Sequence, residues 1–225
     1  MKMALILCTA GLVISLGGCP MQTDGQNSKT ARLRVIHASP DAPGVDVCAN
    51  GQAAFQGASF PGATSYETLD EGTYAIRVTA AGAGCGGAGV INADLPISAG
   101  QDVSVVAVNR LAQIEPLVLV DNNAAPAAGK AKVRFVHASP DAPTVDITLT
   151  DGTTLFDNVS FKQSSGYLEV AAGSYDLQVR DETGTAVVLT LNGTALGAGN
   201  IYTVFAVGLF NGTPALNALV TLDNQ

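Results

Sequence analysis

A histidine, a serine and an aspartate stand within five residues of one another at two places in this sequence. The stretch His-Ala-Ser-Pro-Asp-Ala-Pro carries them twice, as His37, Ser39 and Asp41 and again as His137, Ser139 and Asp141. These residue types form the triad of many hydrolases, so the motif raises the hypothesis of nucleophilic catalysis. In a triad, however, the three groups converge from separate chain segments, whereas here they are nearly consecutive.

The backbone of this motif favours a structural role. Pro40 and Pro43 restrict the chain around the three side chains, and no Gly-x-Ser-x-Gly elbow presents Ser39 as a nucleophile. His37 falls on the apolar face of its strand, so we expect a buried imidazole that is hydrogen-bonded to the turn. Ser39 and Asp41 are expected to accept backbone N–H bonds, as these residue types do in turns. We therefore predict that the protein is not an enzyme.

Two aspartates lie close together in each repeat: Asp41 and Asp46, then Asp141 and Asp146. With turn carbonyls they would offer hard oxygen ligands to a divalent cation, although the spacing is not that of an EF-hand loop. The alternative, which we favour, is that the second aspartate of each pair caps a turn or pairs with Arg34 or Arg134. We accordingly predict neither a metal nor a cofactor.

The residues around each motif alternate with the two-residue period of a β-strand. In the first copy Leu33, Val35 and His37 share one face and Arg32 and Arg34 the other, which is typical of a half-buried strand. The second copy repeats the pattern. Residues 103–108 and 202–207 are more continuously apolar and are predicted to be central strands. About seven short strands in each repeat indicate an all-β chain of two tandem immunoglobulin-like antiparallel β-sandwich domains.

Internal repetition sets the domain organisation. Residues 31–50 and 131–150 are identical at 11 of 20 positions. The predicted segments are a lipoprotein signal peptide at 1–18, a flexible tether at 19–30, a first domain at 31–122, a linker at 123–130 and a second domain at 131–225. Because the linker is short, the domains are expected to touch or to be loosely hinged.

The beginning of the chain predicts a lipid anchor. Lys2 precedes an apolar run at 3–14, which is too short to span a bilayer, and Leu-Gly-Gly-Cys at 16–19 reads as a bacterial lipobox. Cys19 would then carry the lipid and attach the protein to a membrane of the bacterial cell envelope. Pro20 is not the aspartate associated with inner-membrane retention, so the outer membrane is favoured in a Gram-negative host.

The cysteines predict a covalent link in the first domain, and the charge limits the partners that the protein could bind. Cys48 and Cys85 are expected to form a disulfide in an exported domain, and the rival interpretation is a two-cysteine metal site. The formal net charge is −8 and no basic patch is present, which argues against nucleic acid as a partner.

The doubled stretch Arg-Val-Ile-His-Ala-Ser-Pro-Asp-Ala-Pro-Gly-Val-Asp, complete in the first copy at 34–46, resembles the opening of a bacterial domain-of-unknown-function family, number 4397 (DUF4397). The resemblance implies an extracytoplasmic β-domain, often in tandem, without an assigned activity or catalytic residues. We therefore expect a lipid-anchored envelope protein with a binding or structural role, such as surface display, adhesion or envelope assembly, and an envelope protein or polysaccharide as its partner. The alternative is an extracytoplasmic small-ligand or carbohydrate-binding protein. In either case, binding is expected in the loops that differ between the copies.

Overall fold

The computed structural model describes residues 29–225, and this part of the chain is all-β, as predicted. The predicted signal peptide, the lipidation site Cys19 and nearly all of the tether lie outside the described residues. The first domain contains the strands β1 (Thr30–His37), β2 (Val45–Ala49), β3 (Gln52–Ala58), β4 (Gly62–Ala63), β5 (Glu67–Asp70), β6 (Gly72–Ala80), β7 (Gly89–Ile97), β8 (Asp102–Val108) and β9 (Glu115–Asp121), with a short 3₁₀ helix at Leu111–Gln113.

The second domain repeats this order. Its strands are β10 (Lys130–His137), β11 (Val145–Leu149), β12 (Thr154–Val159), β13 (Leu168–Ala171), β14 (Gly173–Asp181), β15 (Val187–Leu196), β16 (Ile201–Val207) and β17 (Asn217–Leu222). Across residues 29–225, no helix has the length and apolar character needed to traverse a membrane.

Each domain is a sandwich of two sheets. In the first domain, the strands β3-β2-β6-β7 form the outer sheet, and β1, β8 and β9 form the inner sheet with β4 and β5 paired to β1. The second domain has the outer sheet β12-β11-β14-β15 and the inner sheet β13-β10-β16-β17. The predicted central strands, β8 and β16, each lie between two neighbours. One pairing in each inner sheet, β1 with β8 and β10 with β16, is parallel, which the sequence pattern did not reveal.

An apolar core fills each sandwich between its two sheets. Leu33 and Val35 of β1 meet Val47 of β2 and Val78 of β6 in the first domain. The predicted disulfide joins Cys48 to Cys85 and therefore ties the outer-sheet strand β2 to the loop after β6. The prediction of a disulfide, rather than a two-cysteine metal site, is confirmed.

A third apolar cluster lies between the two inner sheets, so the domains form four stacked layers. It contains Ile36 and Val106 from the first domain and Val136 and Phe205 from the second, all with 0% exposure. The prediction that β1 and β10 are half-buried was wrong, because both of their faces are covered. One face packs on the outer sheet of its own domain and the other on the second inner sheet.

Candidate functional site

The imidazole of His37 is buried at the end of β1 and is hydrogen-bonded to the turn that follows. Its Nε2 lies 2.9 Å from the carbonyl oxygen of Pro43, so Nε2 carries the hydrogen and donates it. The ring also meets Phe60 edge to face at a centroid distance of 6.2 Å. Burial lowers the pKa of His37 and keeps the ring neutral. A buried, neutral ring that is already bonded to its own turn supports the structural interpretation.

The second domain copies this arrangement. His137 Nε2 donates to the carbonyl oxygen of Pro143 at 2.9 Å, and the ring packs against Phe161. Burial also lowers the pKa of His137. The prediction that the motif serine accepts backbone N–H bonds was wrong, because both serines are fully buried and neither receives such a bond from the described residues. Ser139 Oγ donates to the carbonyl oxygen of Gly208 at 2.8 Å, and Ser39 Oγ has no hydrogen-bond partner in the described part of the chain.

The motif aspartates hold the loop that follows the central strand of the inner sheet. Asp41 Oδ1 accepts a hydrogen bond from the backbone N–H of Leu111 at 2.7 Å, and Asp141 Oδ1 accepts one from Phe210 at 2.7 Å. Asp141 Oδ2 also lies 3.5 Å from the guanidinium of Arg110, which belongs to the first domain. The two motifs and both loops therefore meet at one end of the molecule.

Asp46 caps two turns of the outer sheet. Its two carboxylate oxygens accept N–H bonds from Gly57 and Gly82, each at 2.8 Å. These backbone bonds lower the pKa of Asp46, with the bond from Gly57 as the main cause. Asp146 likewise accepts the N–H of Asn158 at 2.8 Å. These aspartates therefore have the first of their two predicted roles, which is the capping of turns.

The pairing of these aspartates with Arg34 and Arg134 was wrong, because both arginines point away from the outer sheet. They face the interior between the domains. Arg34 Nη2 donates to Asp223 Oδ1 at 2.7 Å, with 2% and 0% of the two side chains exposed. Arg134 Nη2 makes the equivalent bond to Asp121 Oδ1.

Hydroxyl groups complete this buried charge network. Ser104 Oγ accepts a bond from Arg34 Nε at 2.7 Å and donates to Asp121 Oδ2 at 2.6 Å. Thr203 takes the same position in the second domain, where it accepts from Arg134 Nε at 2.8 Å and donates to Asp223. Each buried charge is therefore both paired and hydrogen-bonded, which buried charges require in order to be tolerated.

A tyrosine covers each arginine. The guanidinium carbon of Arg34 lies 4.7 Å from the ring centroid of Tyr66, and that of Arg134 lies 4.8 Å from the centroid of Tyr167. Each ring also packs on the cationic side chain two residues before the arginine on the same strand. Tyr66 Oη donates to Asp121 at 2.6 Å, and burial raises the pKa of both tyrosines. These cation–π contacts add a favourable interaction to each buried guanidinium.

Sequence reasoning missed this network, although two signals for it were present. The arginine and the aspartate recur at equivalent positions of both repeats, within Arg34-Val35-Ile36 and Val120-Asp121-Asn122 of the first. The arginine also shares its strand face with an apolar residue, Ile36 or Val136. An arginine on an apolar face indicates a covered surface with a carboxylate partner.

The described residues also contain openings, but no group of three or more His, Cys, Asp or Glu side chains that could hold a metal ion. An open groove of about 290 Å³ runs between residues 63–66 and 219–222, beside the paired Arg34. An apolar opening lies between β3 and β5 at Phe55, Leu69 and Tyr74. The second domain has a tighter opening at the same place.

Comparison with known proteins yields a family match. A family model described as "Domain of unknown function (DUF4397)" matches residues 31–148 and 148–225. A search of curated proteins found no match. One solved structure, the CBMbc module (family CBM26) of Eubacterium rectale Amy13K in complex with maltoheptaose, is 8% identical, with 85% of this chain and 96% of that chain covered. Its TM-score of 0.26 is too low to carry an argument about ligands.

Proposed function

Since this chain belongs to the DUF4397 family, in two tandem copies, we propose that it is a non-enzymatic, lipid-anchored protein of the bacterial cell envelope whose paired domains present a rigid binding end to an envelope partner. The observation that carries this proposal is that the repeated motif holds two loops in place. Its aspartates fasten two loops, 109–114 and 208–216, that differ in sequence between the copies.

Each fastened loop displays an apolar side chain. Leu111 is 39% exposed and Phe210 is 42% exposed, and these are the residues whose backbone N–H groups bond to Asp41 and Asp141. A hydrophobic side chain on a fixed backbone loses little conformational freedom when it binds, which is the advantage of a preorganised contact. Arg110 of the first loop adds a half-exposed guanidinium, which lies 3.5 Å from Asp141 of the second domain.

The position of this end also suits an anchored protein. β1 runs from Thr30, close to the start of the described residues, to His37 in the motif. Eight residues of strand cover about 26 Å, so the motif end lies far from the segment that leads to Cys19. A lipid on Cys19 would hold one end at the membrane and leave the motif end directed toward a protein or polysaccharide of the envelope.

Retention on cell envelopes tests the binding role. The purified protein without residues 1–19 is mixed with envelopes of the host from which the endogenous protein has been deleted, and the sedimented fraction is measured. We expect retention of the wild type and a loss of about tenfold or more in Leu111→Ser with Phe210→Ser, since a few central apolar residues carry most binding energy. Val187→Ser, at an equally exposed valine of β15, is the matched control. Equal retention of all three proteins would refute the proposal.

The anchor has its own experiment. Cells are fed labelled palmitate, and incorporation is compared between the wild type and Cys19→Ala. We expect label in the wild type alone and release of the variant from the membrane fraction. Label in both proteins, or in neither, would contradict the anchor without affecting the binding experiment, which uses protein that lacks Cys19.

A second candidate function is the binding of a small apolar ligand between the sheets of the first sandwich. It is favoured by the recurrence of the apolar opening, formed by Phe55, Leu69 and Tyr74 in one domain and by Phe156, Val170 and Tyr175 in the other. Titration with a fluorescent fatty acid should give saturable binding that Leu69→Trp reduces by filling the larger opening, that of the first domain. An unsaturable signal would exclude this function.

A further inference from the structure

We infer that the inner-sheet face is a docking surface whose partner is a second domain of the same type, and that it holds this partner without help from the covalent linker. The two domains of this chain would then form a pseudo-twofold dimer whose two halves are also joined covalently. The first support is reciprocity. Arg34 of the first domain bonds Asp223 of the second, and Arg134 of the second bonds Asp121 of the first. The same contact made twice in opposite directions is the mark of an isologous interface.

Each domain also builds its own half of the contact. Asp121 accepts bonds from Ser104 and Tyr66 of its own domain, at 2.6 Å each, before it meets the arginine of the other domain. Asp223 accepts bonds from Thr203 and Tyr167 in the same manner. The acceptor is therefore positioned within one domain, and the pair does not depend on residues of the linker.

The apolar part of the docking surface is buried only when the two domains are paired. The third cluster is built from equivalent residues of the two domains: Ile36, Ala38, Val106, Val108 and Leu119 of the first, with Val136, Ala138, Phe205 and Val207 of the second. All of them are buried in the paired chain. An unpaired domain would expose this patch together with its arginine, and apolar patches of this kind mark interaction surfaces.

One pair of equivalent positions sets the preference for partner. Val106 of β8 corresponds to Phe205 of β16, and both are fully buried in the cluster. Two first domains would contain no phenyl ring at this position and would leave a void. Two second domains would have to fit two rings and would be overpacked. The surface therefore favours a pair of one first domain with one second domain, as in this chain.

The linker provides the test. In the full chain, residues 125–128 are replaced by a protease recognition sequence, and the purified protein is cut between its domains. We expect the two halves to elute together at the volume of the uncut protein down to about 1 µM, an affinity ordinary for specific protein–protein contacts. Halves that separate at this concentration would overturn the proposal.

A variant of the same cleavable protein tests the residues. Arg34→Met leaves Asp223 buried without its partner charge, so we expect the cut halves to associate at least about tenfold more weakly. Lys29→Met, which removes an exposed pair with Glu71 inside the first domain, is the matched control and should leave association unchanged. Far-ultraviolet circular dichroism reports folding of the cut halves. Unchanged association in a folded Arg34→Met protein would contradict the role of this pair.

Discussion

Arg34 and Asp223 are 189 positions apart, and their buried side chains meet at 2.7 Å. The arginine belongs to the first strand of one domain, and the aspartate follows the last strand of the other. Together with the equivalent pair of Arg134 and Asp121, this contact fixes the orientation of the two sandwiches. A buried pair contributes geometric selectivity even where its net contribution to stability is small, because a misplaced partner leaves a bare charge in the interior.

Removal of one partner from this buried pair is expected to be costly. Asp223→Asn keeps the size of the side chain but leaves Arg34 without its counter-charge, so we predict a loss of about 3–5 kcal/mol in the free energy of unfolding. Urea denaturation followed by circular dichroism measures it. Glu71→Gln is the control, because its pair with Lys29 is exposed and should contribute little to stability. Similar losses in the two variants would show that burial does not determine the cost.

The sequence predicted the parts of the fold that depend on local pattern. Alternation at Leu33, Val35 and His37 indicated the strand and its core-facing side, and the continuous apolar run at 103–108 indicated a central strand. The disulfide followed from the two cysteines in a domain predicted to be exported. These features are encoded within a few residues or by residue type alone, so no knowledge of the tertiary arrangement was needed.

What covers the second face of β1 could not be read from local pattern. The arginine at 34 is compatible with solvent or with a buried carboxylate, and the choice between them depends on Asp223 at the other end of the chain. Ile36 on the same face was the available evidence for burial. The parallel pairing of β1 with β8 was hidden for a similar reason, since strand order is set by contacts of long sequence separation.

The motif aspartates are expected to control the mobility of the two displayed loops. Asp41→Ala removes the acceptor for the N–H of Leu111, and Asp141→Ala removes the acceptor for Phe210. Each lost bond should cost about 0.5–1.5 kcal/mol and should release the loop locally without unfolding the sandwich. Hydrogen exchange measured by mass spectrometry should therefore rise at 109–114 in the first variant and at 208–216 in the second. Asp94→Ala on β7, at an exposed position, should change neither loop, and uniform exchange in all three variants would contradict this role.

The two motif histidines should make stability depend on pH in a defined window. Burial lowers the pKa of His37 and His137 from the ordinary 6.5, so the unfolded chain binds protons in a pH range where the folded chain does not. Stability is therefore full above about pH 6.5 and is lost as the pH falls from there toward the lowered pKa of the folded state, by up to about 1.4 kcal/mol per pH unit for each histidine.

Substitution of both histidines distinguishes their contribution to this pH dependence from the contribution of the carboxylates. In His37→Gln with His137→Gln the amide can still donate to the proline carbonyls, but it does not titrate. We expect the free energy of unfolding of this variant to be nearly flat between about pH 5 and 7, whereas that of the wild type declines as the pH is lowered. Parallel curves for the two proteins would show that the histidines do not cause the dependence.

The disulfide is expected to stabilise the first domain without being required for its fold. Cys48 and Cys85 are 37 positions apart, and closing a loop of that length removes about 3–4 kcal/mol of chain entropy from the unfolded state. The second domain forms the same sandwich with Thr148 at the position of Cys48. Cys48→Thr with Cys85→Ala should therefore fold, with a free energy of unfolding lower by about that amount. Guanidinium denaturation measures the difference, and treatment of the wild type with a reductant should reproduce it. A variant as stable as the oxidised wild type would mean that the bond merely joins segments already held by β2 and β6.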